Sequence, residues 1–199
     1  VVDEIHRDLV YPSQHYIPFA SLGEDFLMKS FTCTAPSKTF NLAGLKVANI
    51  IVADKHYKQK INRSLNINEV AEPNTFAVEA LIAAYSQGDE WLDQLLEYLK
   101  GNRDEVVAFI QRECPELEVI VPQATYLVWV DCRKLPVGSD VFAKALYEQG
   151  NLRISEGSVY GLNGSGFIRI NIATTRENVK IAMSRLAQVV KSFSAGTEQ

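Results

Sequence analysis

Four side chains in this sequence are of types that bind or transform small molecules: the carboxylate of Asp3, the imidazole of His6, the amine of Lys38 and the guanidinium of Arg169. Asp3 closes the apolar pair Val1-Val2, which reads as the end of a buried strand. In α/β sheets the carboxyl ends of strands open onto the ligand crevice. His6 follows in the same loop, and Lys38 sits between Ser37 and Thr39 in a turn after the β-prone run Phe31–Ala35. Arg169 alternates with Ile168, Ile170 and Ile172, which puts it on the polar face of a strand. Each also has an ordinary structural role open to it: a turn-capping aspartate, a loop histidine, a solvated turn lysine, an exposed or paired strand arginine.

The elements that must hold these residues follow from pattern and punctuation. A loop with Pro12 and Pro18 leads into a short helical patch near Ser21–Lys29, and Pro36 ends the β-prone run. VANIIVA, within Lys46–Ala53, is a near-continuous apolar run of the kind found in strands covered on both faces. Asp54 reads as the N-cap of a basic helix to about Asn66, and Pro73-Asn74-Thr75 opens a helix over Phe76–Tyr85. After Gly88-Asp89 a long helix runs to Glu113, its apolar residues from Trp91 to Ile110 recurring near 3.6, with Gly101 as a possible bend. Beyond Pro115 come strands at Glu118–Val121, Thr125–Val130, Leu152–Ser155 and Gly166–Ile172, and a helix at Ser139–Glu148 capped by Ser139 or Asp140. A last amphipathic helix is capped by Thr175, and the tail SAGTEQ is expected to be loose. The result is two unequal α/β pieces, 1–88 and 115–199, joined by a long helix at 89–114.

Composition narrows the classes. The 199 residues are 47% hydrophobic and 22% charged, too apolar for disorder. Lys plus Arg total 20 against 24 Asp plus Glu, the wrong balance for a nucleic-acid module. No apolar run is long enough to span a membrane. Cys33, Cys114 and Cys132 are widely spaced, as are His6, His15 and His56, so neither set has metal-ligand spacing, and the cysteines read as reduced thiols of a cytoplasmic protein. The opening VVDEIHRDLVY has no charged or long apolar leader region, and it reads as the interior of something longer rather than as a signal peptide.

Two segments, DEIHRDLVY and APSKTFNLAGLKVANIIV, resemble the fold-type I pyridoxal-phosphate enzymes of the class I/II aminotransferase superfamily. The closer likeness is to its cystathionine β-lyase, or C–S lyase, branch, often called the MalY/PatB type. Downstream, PQATYLVWVDCRKL and ISEGSVYGLNGSGFIRINIA look like that family's small domain. SKTFNLAGL is the most specific part, and Gly157-x-x-Tyr160-Gly161 followed by Arg169 is the second.

The resemblance implies roles. Lys38 would join the aldehyde of pyridoxal 5'-phosphate and later remove the substrate Cα proton. Asp3 would pair with the pyridine nitrogen, and His6 would lie near the phenolic oxygen or buttress Asp3. Ser37 would contact the phosphate, and Arg169 would clamp the substrate α-carboxylate. Tyr126 and Asn171 would be neighbours of that clamp or strand packing. Where many relatives have a serine before the lysine and an arginine after it, this chain has Ala35 and Lys46, so Lys46 stands in reserve as a point charge.

The fold implied is α/β. Residues 1–88 would be the C-terminal part of the large cofactor domain, a fragment of a mostly parallel sheet with helices. Residues 89–114 would be the interdomain helix and 115–199 the small domain. Enzymes of this family are about twice as long, so the resemblance implies a C-terminal fragment, inactive alone, of a homodimeric lyase acting on cystathionine or another S-substituted cysteine. An aminotransferase of the same fold and a non-catalytic regulatory interaction module stand as alternatives.

Overall fold

The computed structural model describes residues 1–195, which fall into two units, Val1–Leu96 and Glu97–Gln199. The boundary lies inside the longest helix.

The first unit is built on a three-stranded sheet ordered β1-β2-β3, with β1 at Val2–Asp3, β2 at Thr32–Thr34 and β3 at Asn49–Ile51. β1 and β2 are parallel, with Asp3 opposite Cys33, while β3 runs antiparallel to β2. Helix α1 (Glu24–Met28) follows a 3-10 turn at Phe19–Leu22, and α2 (Lys55–Ile67) starts where the Asp54 carboxylate accepts the Tyr57 N–H at 2.8 Å. That bond satisfies one of the open donors of the first turn. α3 (Ala77–Gln87) begins after an Asn74 side-chain turn that accepts the Phe76 N–H. α4 (Asp89–Glu113) follows directly and runs unbroken through Gly101.

The VANIIVA run takes a different form from a strand covered on both faces. β3 is the outermost strand of the sheet, and Ile50 and Ile51, which point to opposite faces, are 43% and 50% exposed. Full cover for neither face comes from the described residues.

The second unit has a four-stranded antiparallel sheet in the order β4-β5-β7-β6: β4 Glu118–Ile120, β5 Leu127–Asp131, β6 Ser155–Glu156 and β7 Phe167–Asn171. One face of β5 and β7 presents Val128, Val130, Ile168 and Ile170, which pack with Phe142 and Leu146 of α5 (Ser139–Glu148) and with Met183 and Leu186 of α6 (Arg176–Ala195). Val106 and Ile110 of α4 complete this core.

Three local expectations change. The α5 cap is Gly138, because the Ser139 hydroxyl is used elsewhere: it accepts the Gly166 N–H at 3.0 Å and pins the turn that feeds β7. The strand expected over Leu152–Ser155 shrinks to Ser155–Glu156, because the chain is still closing α5. Asn151 is left-handed (φ 47) and the Leu152 N–H bonds the Leu146 carbonyl at 2.8 Å. Gly101 makes room: a Cβ there would meet the Arg176 guanidinium, which bonds Asn102 and the Tyr98 carbonyl. The Thr175 hydroxyl accepts the Asn178 N–H at the start of α6. The loose stretch expected at the tail lies, beyond Ala195, outside the described residues.

Candidate active site

Asp3 ends β1, and Lys38 lies in the turn that follows β2. The two strands are neighbours and parallel, so both residues stand at the same, carboxyl-terminal edge of the sheet. The ladder continues past Asp3, the Glu4 N–H bonding the Cys33 carbonyl at 2.9 Å, which ties the start of the His6 loop to β2. Adjacent strands are about 4.8 Å apart.

Asp3 is exposed, and one of its oxygens accepts the Ile5 N–H at 3.1 Å, the turn-capping role that its type allows. The other oxygen carries no hydrogen bond among the described residues. Lys38 is exposed too, and among the described residues its amine makes no ion pair and no hydrogen bond. Ser37 is half-buried beside it. His6 is half-buried, with its Nδ1 shielded from solvent. Lys46, the reserve cation, is exposed and left-handed (φ 50) at the end of the 3-10 turn Ala43–Leu45.

The lysine turn is held from both sides by residues that sequence reasoning passed over. The Phe40 N–H closes it on the Pro36 carbonyl at 2.9 Å. Thr39, with no exposed surface, donates its hydroxyl to the Asp8 carboxylate at 3.2 Å. Asp8 also accepts from Arg7 Nε at 3.2 Å and from the Tyr85 hydroxyl at 3.5 Å. Burial, and then the negative charge of Asp8, push the Tyr85 phenol above its ordinary pKa. Phe40 packs edge-on to Tyr85 at 5.4 Å, and a Cβ on Gly88 would strike its ring. Asp8 thus joins the loop carrying His6 to the turn carrying Lys38.

Glu4, next to Asp3, is the other residue missed. It is 5% exposed, accepts the Phe19 N–H at 3.0 Å and takes a hydrogen bond from the Tyr16 hydroxyl. Burial first, and that bond second, raise the Tyr16 phenol to about 12.

In the second unit, Arg169 stands on the face of β7 opposite Ile168 and Ile170, across from Trp129 of β5 and Ser155 of β6. Its guanidinium carbon lies 4.2 Å from the centre of the Tyr160 ring. It has no ion pair or hydrogen bond among the described residues. Tyr126 is close enough for the Arg169 charge to pull its pKa down, though burial wins and raises it. Asn171 accepts the Ala173 N–H at 2.8 Å, a turn-forming use of its side chain.

The donor set suits a pyridine ring bearing an aldehyde. A carboxylate oxygen and a primary amine are unengaged, reachable and set at one sheet edge, as such a ring needs at its nitrogen and its carbonyl. Among the described residues no group of three or more His, Cys, Asp or Glu could hold a metal ion, and no helix is long and apolar enough to cross a membrane.

A family model described as aminotransferase class I and II matches residues 1–186. The chain is 38% identical over 186 residues to the cystathionine β-lyase PatB of Bacillus subtilis, covering 94% of this chain and 48% of PatB. It is 33% identical to the protein MalY of Escherichia coli, covering 96% of this chain and 49% of MalY. Its fold superposes on cystalysin from Treponema denticola, a crystal structure containing pyridoxal 5'-phosphate, with a TM-score of 0.92 at 30% identity, over 96% of this chain and 48% of cystalysin. The chain spans about half the length of the curated relatives it matches.

Proposed function

The chain belongs to the class I and II aminotransferase family, and from that premise we propose that the protein it represents is a pyridoxal-phosphate-dependent C–S β-lyase. It would cleave cystathionine or a related S-substituted cysteine to a thiol, pyruvate and ammonia. The observation that carries this reading is the pairing of an unengaged Lys38 amine with an unengaged Asp3 oxygen at the carboxyl ends of two adjacent parallel strands. The β-lyase relatives favour elimination as the outcome.

The residues divide the work. Asp3 would present its carboxylate to the pyridine nitrogen and keep it protonated, and His6, in the same loop, would lie near the phenolic oxygen or buttress that carboxylate. The bound cofactor supplies an electron-withdrawing ring that stabilises negative charge at the substrate Cα. Lys38 would hold the cofactor through its Nζ, and the same Nζ, once free, would take the substrate Cα proton. The Cβ–S bond would then break with its electron pair leaving on sulfur, and one water would complete the release of pyruvate and ammonia. Ser37 offers its hydroxyl to the phosphate. Arg169 would pair with the α-carboxylate in a two-pronged contact that orients the Cα–H bond.

On this reading residues 1–88 belong to the large domain, 89–114 to the connecting helix and 115–199 to the small domain, and the protein is a cytoplasmic homodimer. The three free cysteines support the cytoplasmic assignment.

The test is Lys38→Ala in the full-length enzyme. It abolishes pyruvate release from cystathionine and the absorbance of protein-bound cofactor, and lyase activity at the wild-type rate would refute the assignment. An aminotransferase uses the same three residues, Asp3, Lys38 and Arg169, and would instead pass the amino group to a 2-oxo acid. Measuring both products from one reaction separates the two.

A further inference from the structure

The loop between β6 and β7 consists of two successive 3-10 turns, Gly157–Tyr160 and Leu162–Gly164. Gly157 and Gly164 meet backbone to backbone, and a Cβ on either would fall on the other's carbonyl oxygen. Gly161 links the turns at φ 120 and ψ 169, a conformation that side chains resist. Folded back in this way, the loop exposes Val159 and Leu162 and lays the Tyr160 ring against the Arg169 guanidinium. Trp129, the cross-strand partner of Arg169, meets the same ring edge-on at 5.6 Å. The acid that ends β6, Glu156, is engaged by the Ser158 hydroxyl.

We infer that Tyr160 is the positioning residue of Arg169: its ring, in edge contact with Trp129, covers one face of the guanidinium and holds the N–H edge ready for the substrate α-carboxylate. The inference rests on Arg169 being that clamp. A guanidinium donates in its own plane, so a ring stacked on its face leaves the donors open while restricting how the plane can turn. An arginine has many rotamers to lose on gripping a ligand, and a stacked one has lost part of that freedom beforehand. The Gly157-x-x-Tyr160-Gly161 spacing then has a physical reason. The glycines allow the doubled-back loop, and the loop delivers the ring.

The test titrates the pyridoxal-phosphate holoenzyme with L-alanine and with L-alaninamide, following the absorbance of the bound cofactor. The ratio of the two dissociation constants measures the preference for a carboxylate. Tyr160→Leu lowers that ratio about five- to tenfold, the scale of a cation–π contact in a partly shielded place. Tyr160→Phe keeps the ratio within about twofold because it keeps the ring face. A ratio unchanged in Tyr160→Leu but abolished in Arg169→Ala overturns the inference and leaves the clamp standing. A ratio unchanged in Arg169→Ala overturns the clamp and the inference together. An equal loss in Tyr160→Phe overturns the ring-face account. Tyr160→Met, similar in size and without a ring, repeats the measurement if the leucine variant does not fold.

Discussion

Thr39→Val removes one hydroxyl from a fully buried site and changes almost nothing else in shape. Thr39 has no exposed surface, and its Oγ1 donates to Asp8 Oδ2 at 3.2 Å. A hydrogen bond to a charged partner contributes about 1.5–3 kcal/mol. Asp8 keeps its bonds to Arg7 and Tyr85, and its side chain is 21% exposed, so water can replace part of what is lost. The cost therefore sits at the lower end, about 1.5 kcal/mol. For a full-length protein about twice as long as this chain that is a fall of roughly 1–3 °C in Tm, measured by thermal unfolding. The same bond fixes the turn that carries Lys38, so the part of its energy that serves positioning appears in cofactor binding. The Kd for pyridoxal phosphate rises by up to about tenfold, the equivalent of about 1.4 kcal/mol. Thr39→Ser, which retains the donor, stays near wild type in Kd. Thr39→Val and Thr39→Ser indistinguishable from each other and from wild type in both readouts would refute the argument that Asp8 anchors the lysine turn.

Gly157→Ala forces a methyl group onto the Gly164 carbonyl and costs about 1–3 kcal/mol, as overpacking does, measurable as a lower denaturation midpoint; an unchanged midpoint removes the close approach as a requirement. Burial holds the Cys132 thiol up at about 12 and the Cys114 thiol at about 11, against 9.0 for a free thiol. The folded protein keeps those protons longer than the unfolded chain does, so the stability linked to them is whole below pH 9 and is lost as pH rises toward 11 and then 12. Unfolding free energy measured across that window falls less steeply in Cys132→Ala than in wild type, and identical slopes would contradict the buried assignment.

What the sequence disclosed and what it concealed follow from the range of the interactions involved. Arg169 was legible because its signal is local: three isoleucines at alternate positions set the faces of β7, and the isoleucines of that strand are buried in the core. The long helix and the Asp54 cap were legible for the same reason, with period and punctuation inside one element. The contact between Asp8 and Thr39 was not, since the partners are 31 residues apart and neither residue type announces the other. Nor was the burial of Glu4, whose partners Tyr16 and Phe19 lie in an irregular loop with no period to read. The adjacency of β1 and β2 was not legible either, because strands of two and three residues are too short to show alternation. Ser139 misled as a cap because a serine hydroxyl before a helix can bond the helix or, as here, a distant turn.

The two ends of the proposed chemistry solve one problem by different means. A lysine that must reach an aldehyde and then a proton has to be exposed, and an exposed lysine is ordinarily mobile. Here the mobility is confined to the side chain. Pro36 and Thr39 on either side of the Ser37-Lys38 pair are buried, the turn is closed by a backbone bond, and Phe40 is packed against Tyr85 and over Gly88. The backbone under the amine is tied down while the amine itself has no partner among the described residues, as the proposed role of first holding a ligand and then moving a proton requires. The clamp proposed for Arg169 would need the opposite, one contact made and kept, and there the side chain itself is held, by the Tyr160 ring against its guanidinium and the strand that carries it. Substitutions at Thr39 and at Tyr160 should therefore fail differently. The first misplaces the base relative to everything it touches, lowering cofactor affinity and turnover together. The second loosens the grip on one substrate group and leaves the cofactor's own affinity where it was.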